Sequence, residues 1–291
     1  MDSDLLEKYK NRVGKFTFNK FGMYTMKIMK FLRFGLLIIA SLIASSCSNP
    51  KSGIEDLASF VNPFVGTGEH GHTYPGATMP FGMVQLSPDT RGPNWDGSSG
   101  YHYSDKTIMG FSHTHLSGTG SPEFCDVLIM PTVGNVQMIA GDENNSSTGY
   151  RSKFSHDNEE AAVGYYKVLL DDYNVTAELT ATNRSGFHKY TFPESDKSNI
   201  IIDLKHREKI LESNIQIVDD TVITGLTRST GWAADQHIYF YAKFSKPFKK
   251  HGIAIDDNLV DGISEAEGKN IKAYVTFDTK KDEQIYVKVG I

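Results

Sequence analysis

Between residue 165 and the C-terminal residue many runs alternate apolar and polar side chains at every second position. A stretch with that period can bury one face only as a β-strand. The runs are YYKVLL at 165–170, VTAELTAT at 175–182, GFHKYTF at 186–192, NIIIDL at 199–204, HIYFYAKF at 237–244, KAYVTF at 272–277 and QIYVKVGI at 284–291. All are rich in β-branched and aromatic residues. Turn formers separate them at 171–172, 193–198, 219–220 and 256–258. Helical periodicity is hard to find, and there is no repeat of fixed period. The pattern predicts an all-β fold, an antiparallel β-sandwich. Residues 141–160 are polar and rich in Gly, Ser and Asn, which predicts a long surface loop.

The first 58 residues follow different rules. FLRFGLLIIASLIA at 31–44 is a short apolar run with Lys27, Lys30 and Arg33 before or at its start. It has the layout of a signal peptide and is too short for a confident membrane span. Ala44, Ser45 and Ser46 lead into Cys47, which resembles a bacterial lipobox with Ala44 where Leu is usual. The organisation read from this is a non-conserved extension at 1–25, a lipoprotein signal peptide at 26–47, a tether at 48–58 and a sandwich domain at 59–291. Met26 or Met29 would each begin a normal signal peptide. Lipidation at Cys47 would anchor an exported protein to a membrane, in the periplasm or at the cell surface. The remaining cysteine, Cys125, sits in a different context, so no disulfide is expected. A formal charge of -5 argues against a nucleic-acid partner.

Between residues 61 and 131 Gly and Pro are dense and strands are short. Five of the ten histidines fall here: His70, His72, His102, His113 and His115. Ordered irregular segments of this length are often functional. In a strand His113 and His115 would share a face and could converge on a metal, with Glu69, Glu123 or Asp126 as further ligands. The alternative is that the histidines hydrogen-bond loop backbone. Trp95-Asp96 lies between Gly-Pro and Gly turns, close to Ser98, Ser99, Tyr101 and Tyr103. That suits either a sugar contact or a tryptophan closing the end of the sandwich. Gly66-Thr67-Gly68 and Gly118-Thr119-Gly120 lack the ending of a phosphate loop and read as tight turns. Ser117 near His115 has no nucleophile elbow around it.

NPFVGTGEHGHTYPGATMPFGMVQLSPDT, then NWDGSSGYHYSD, then GFSHTHLSGTG, in this order, resemble the N-terminal signature of glycoside hydrolase family 92. The resemblance implies a calcium-dependent, inverting exo-α-mannosidase built from a galactose-mutarotase-like β-sandwich and an (α/α)6 barrel. Its catalytic carboxylates, about 6.5–9.5 Å apart in an inverting enzyme, and most of its calcium site would lie in the barrel. No helical repeats of that barrel are present here, so no catalytic or metal residue is carried over. The chain is expected to be an inactive fragment with an apolar face where the barrel docks. The resemblance places Trp95, and with it Asp96, at the subsite for the leaving sugar of a mannose-containing glycan. It places Gly66, Thr67, Gly68, His70 and His72 in an interface loop, and His113 and His115 close to the site. Two alternatives are a self-sufficient carbohydrate-binding surface lipoprotein and a small hydrolase drawing its acids from Asp89, Asp96, Glu123 or Asp126.

Overall fold

A computed structural model describes residues 56–142, 145–207, 209–260 and 262–291. The expected extension, the signal segment, Cys47 and most of the tether lie outside the described residues. Leu57–Ile291 form one compact unit. The described residues hold nineteen strands, three short 3-10 turns and no α-helix.

The strands form two large sheets, and every pairing is antiparallel. The eight-stranded sheet runs in the order Ala77–Thr78, Gln85–Asp89, Gly110–Ser112, Leu128–Val133, Ser195–Asp203, Ile271–Thr279, Lys250–Ile255 and Asn258–Val260. The nine-stranded sheet runs Glu265–Gly268, Lys209–Asp219, Val222–Thr230, Gln236–Phe244, Glu283–Gly290, Ser185–Phe192, Val175–Ala181, Tyr165–Leu170 and Glu159–Ala162. Inward side chains of both sheets share one apolar core, including Phe111, Tyr166, Tyr190, Ile200, Phe244, Phe277 and Val287. Strict alternation of buried and exposed residues marks Val175–Ala181 and Gln236–Phe244, as expected for strands with one wet face.

All seven sequence runs are strands, and Tyr165–Leu170 has the predicted bounds. Two of the longest strands, Lys209–Asp219 and Val222–Thr230, are absent from the sequence reading. Register shifts between Ile210 and Glu212 and between Ile217 and Asp219 break the period-two pattern of Lys209–Asp219. The turn expected at 193–198 is partly strand: Ser195–Asp203 begins inside it, with an irregularity between Ser195 and Ser198.

The surface loop expected at 141–160 is also corrected. Tyr150, Arg151, Ser152 and Phe154 in its middle are buried. The Tyr150 hydroxyl donates to Asp203 Oδ2 at 2.7 Å, and Lys272 Nζ donates to the Met138 carbonyl at 2.7 Å. Ile201 points to the same face as Asp203 and has no exposed surface. The segment therefore covers the second face of the eight-stranded sheet, which is why Ile200, Ile201 and Ile202 are all buried. The mostly irregular chain at 61–127 supplies the strands at one edge of that sheet, Ala77–Thr78, Gln85–Asp89 and Gly110–Ser112.

Candidate functional site

The three sequence blocks are tied together by their own backbone. In the first, the Thr73 amide donates to Gly66 O at 3.2 Å and the Gly71 amide to Gly68 O at 2.9 Å, closing a small loop. Gly71 is required there, because a Cβ would lie 1.9 Å from Gly66 O. The second block docks on this loop. The Tyr103 amide donates to Thr67 O at 2.9 Å, Ser99 Oγ to Thr73 O at 2.8 Å, and His102 Nε2 to Glu69 O at 2.9 Å. Thr67 and His102 are buried by these contacts. The third block joins through the Gly118 amide, which donates to His72 O at 2.6 Å.

Trp95 stands where the blocks meet. Its ring and that of His72 pack edge to face, with a centroid distance of 4.7 Å and an angle of 87°. Its other support is Gly120, where a Cβ would come within 2.7 Å of the ring. Gly120 also has φ +69, a conformation that other residues rarely adopt. The ring is 61% exposed, so the tryptophan does not plug the core; it presents a braced aromatic face to solvent. Next to it His70 Nδ1 lies 2.8 Å from Asp96 Oδ1, and both side chains are open to solvent. Their hydrogen bond raises the His70 pKa and lowers that of Asp96. Arg91 holds the turn from below by pairing with Asp105 and donating to Asp96 O at 3.4 Å. Tyr103 stacks on His156 with ring centroids 4.0 Å apart.

His113 and His115 do not converge. Both are buried, and they enter separate networks because the strand Gly110–Ser112 ends before them. His113 Nδ1 donates to Val127 O at 2.7 Å, so its Nε2 accepts from His188 Nε2 at 3.0 Å. His188 Nδ1 in turn accepts from the Tyr190 hydroxyl at 2.8 Å. Every donor in this chain has an acceptor only while both rings are neutral. Burial pushes the His113 pKa down to about 4 and that of His188 well below the ordinary value.

His115 carries the opposite charge state. Its Nδ1 donates to Gln85 O at 2.7 Å, and its Nε2 lies 3.0 Å from Asp89 Oδ1 and 3.1 Å from Ser112 Oγ. Burial alone would lower the His115 pKa, but Cys125 and Asp89 together hold it well above the usual value. Burial would likewise raise Asp89, yet His115 and His206 keep it far below the carboxylate range. His206 Nε2 donates to the second Asp89 oxygen at 3.1 Å, and Arg207 Nη1 donates to Cys125 Sγ at 3.1 Å.

Asp89, His115 and Cys125 are close enough to share a metal ion. This nitrogen, sulfur and single-carboxylate set does not fit calcium, which takes 6–8 oxygen ligands. It would suit zinc better, but both Asp89 oxygens already accept from imidazoles and the sulfur faces a guanidinium. We read the cluster as an ionic brace under the site. The remaining acids are also engaged or covered. Asp126 is buried, holds Thr114 Oγ1 at 2.7 Å and Gln236 Nε2 at 2.8 Å, and has its pKa raised by that burial. Glu123 is half-buried beside Gly231.

The sequence reading named Trp95, Asp96, Gly66, Thr67, Gly68, His70 and His72, and the structure brings these seven to one locality. It gave Gly120, which supports Trp95, only as part of a tight turn, and did not name Gly71, a glycine between two histidines. Asp89 was named only as an alternative acid, and His206 not at all.

Known proteins place this arrangement. Residues 60–291 match the family model for the glycosyl hydrolase family 92 N-terminal domain. A solved family GH92 alpha-mannosidase of Bacteroides thetaiotaomicron, in complex with mannoimidazole, is 43% identical with a TM-score of 0.78, over 81% of this chain and 32% of its own. A family GH92 inverting mannosidase of the same species is 27% identical with a TM-score of 0.67, over 80% of this chain and 31% of its own. An uncharacterized secreted glycosidase of Arthroderma benhamiae is 28% identical across 60% of this chain and 23% of its own length. The chain thus spans about a third of the solved relatives and a quarter of the fungal one. It belongs to glycosyl hydrolase family 92, whose N-terminal domain it carries.

Proposed function

We propose that this chain is the glycan-contacting N-terminal part of an exported α-mannosidase, and that alone it binds mannosides without hydrolysing them. The observation that carries this reading is Trp95, 61% exposed yet fixed between Gly120 and His72, with Asp96 and His70 beside it. The C–H face of a pyranose packs on such a ring, while a carboxylate and an imidazole anchor its hydroxyls. The loop carrying Gly66, Thr67 and Gly68 sets the height of His70 and His72. His115 packs against Tyr74 behind this loop, while His113 belongs to the buried relay with His188.

Hydrolysis with inversion needs two carboxyl groups about 6.5–9.5 Å apart across an open cleft. Asp89 and Asp126 are buried and hydrogen-bonded, which argues against their use as acid and base. The catalytic pair and the calcium site belong on this reading to a second domain, in keeping with the greater length of the solved relatives. Leu57, Phe60, Val61, Val65 and Phe81 are each more than half exposed. That favours a covered partner surface over the closed, polar surface of a stand-alone lipoprotein. Export agrees with the secreted relative, and an acylated Cys47 would hold the protein at a membrane of the cell envelope.

The test pairs activity with binding. The purified chain is incubated with an aryl α-mannoside and with α-1,2-mannobiose, in calcium and then in EDTA, and its tryptophan fluorescence is titrated with the same sugars. Saturable binding without mannose release is expected. Calcium-dependent release would overturn the division of labour, and absence of any binding would overturn the sugar site.

A further inference from the structure

We propose that Trp232 is a second sugar-contacting residue, which with Trp95 and Glu123 forms a two-ring cradle for a mannoside longer than one residue. This rests on the reading of Trp95 as a mannoside contact and extends it to a part of the chain outside the three sequence blocks.

The protein has two tryptophans, and both are mostly in water, Trp95 at 61% and Trp232 at 67%. One exposed apolar side chain needs no explanation. Two exposed tryptophans whose supports are joined through one acidic residue, Glu123, do. Trp95 rests on Gly120, and Glu123 follows three residues later. The Glu123 carboxyl carbon lies 2.8 Å from where a Cβ on Gly231 would be, and Trp232 is the next residue. Three residues of chain span at most about 11 Å, so the supports of the two rings are only a few sugar widths apart. Glu123 links the two supports, with its carboxylate packed against Gly231.

The Trp232 loop is also held in place. It joins the strands Val222–Thr230 and Gln236–Phe244. Arg228 grips Asp235 through two bonds, Nε at 2.6 Å and Nη2 at 3.1 Å. The Gly231 amide donates to Ala233 O at 3.0 Å. Gln236 Nε2 donates to Asp126 Oδ2 at 2.8 Å, fastening the strand that follows to the buried Asp126 beneath the third block. Pinning both ends lowers the entropy lost when a ligand packs on the ring. A ring placed in this way adds contact to a second or third sugar unit and little to the first.

Because the chain has two tryptophans, each can be read alone. Trp232→Phe leaves Trp95 as the sole indole, and Trp95→Phe leaves Trp232. Emission is titrated with mannose, α-1,2-mannobiose and the corresponding mannotriose. Both reporters are expected to shift with the oligosaccharides. Trp232→Ala should weaken mannotriose binding about ten-fold, the factor that roughly 50 Å² of buried ring is worth, with mannose binding unchanged. Trp232→Phe should recover most of the loss. The melting temperature of both variants should match the parent, since the side chain is exposed. If the Trp95 reporter responds and Trp232→Ala binds mannotriose within two-fold of the parent, the cradle is refuted while the Trp95 site stands. If the Trp95 reporter is silent to every sugar, both readings fall.

Discussion

Acid should unfold this domain by charging two histidines that the fold holds neutral. His113 and His188 form a closed relay from the Tyr190 hydroxyl to Val127 O, with no acceptor for an added proton. Unfolded, each ring takes up a proton near pH 6.5; folded, His113 does so only near pH 4 and His188 well below the ordinary value. The unfolded state therefore binds more protons below pH 6.5, and stability falls as the pH falls. Each histidine contributes a slope that approaches about 1.36 kcal/mol per pH unit, so the pair removes roughly 3 kcal/mol between pH 6.5 and 5.0. In urea, with a slope of about 1–3 kcal/mol per molar, the midpoint should drop by about 1 M or more over that interval. His115 has its pKa raised, so its contribution is complete once the pH is below 6.5 and stays flat beneath it. Asp89 has a lowered pKa and loses its contribution only as the pH falls below the ordinary carboxylate range. The raised pKa of Asp126 works in the opposite direction, adding stability as the pH falls toward its folded value, so attribution needs a variant. His188→Gln keeps a donor for His113 Nε2 but has no proton to gain, and should halve the slope. A urea midpoint independent of pH between 6.5 and 5.0, or an unchanged slope in His188→Gln, would refute the neutral relay.

Other perturbations probe the site and its brace. Gly120→Ala places a methyl group against the Trp95 ring at φ +69; it should abolish the sugar-induced fluorescence change while the circular dichroism of the sheets is retained. Asp89→Asn leaves the charged His115 without its buried counter-ion, and should cost about 3–5 kcal/mol in urea unfolding. Asp96→Asn weakens the exposed pairing with His70 and should lower mannoside affinity without moving the melting temperature. Calcium and EDTA should give the same melting curve, because the buried Asp89, His115 and Cys125 offer calcium too few oxygens.

Strands were legible where one face is wet throughout. His237, Tyr239, Tyr241 and Lys243 alternate with buried Ile238, Phe240, Ala242 and Phe244, and the run reads directly from the sequence. Lys209–Asp219 did not, because two bulges shift its inward residues out of period. The segment 141–160 misled for a different reason. Its polar composition hides Tyr150 and Phe154, which are buried against a sheet face whose burial the strand pattern alone did not reveal. For the site, family resemblance supplied the blocks, but the pairs that define it cross between them. His70 meets Asp96 and Trp95 meets Gly120 only after three loops fold together. The period-two argument for His113 and His115 failed because the pleat stops at Ser112. Trp232 carried no local signal; its neighbour Glu123 is more than a hundred residues away in sequence.

The strand Glu283–Gly290 lies inside the nine-stranded sheet, between Gln236–Phe244 and Ser185–Phe192. It is among the last parts of the domain to be synthesised, yet it joins the two halves of that sheet. Until it arrives, neither half can close, and pairing must bridge about a hundred residues from Ser185. An emerging chain of this topology leaves the nine-stranded sheet open until Glu283–Gly290 is available to pair.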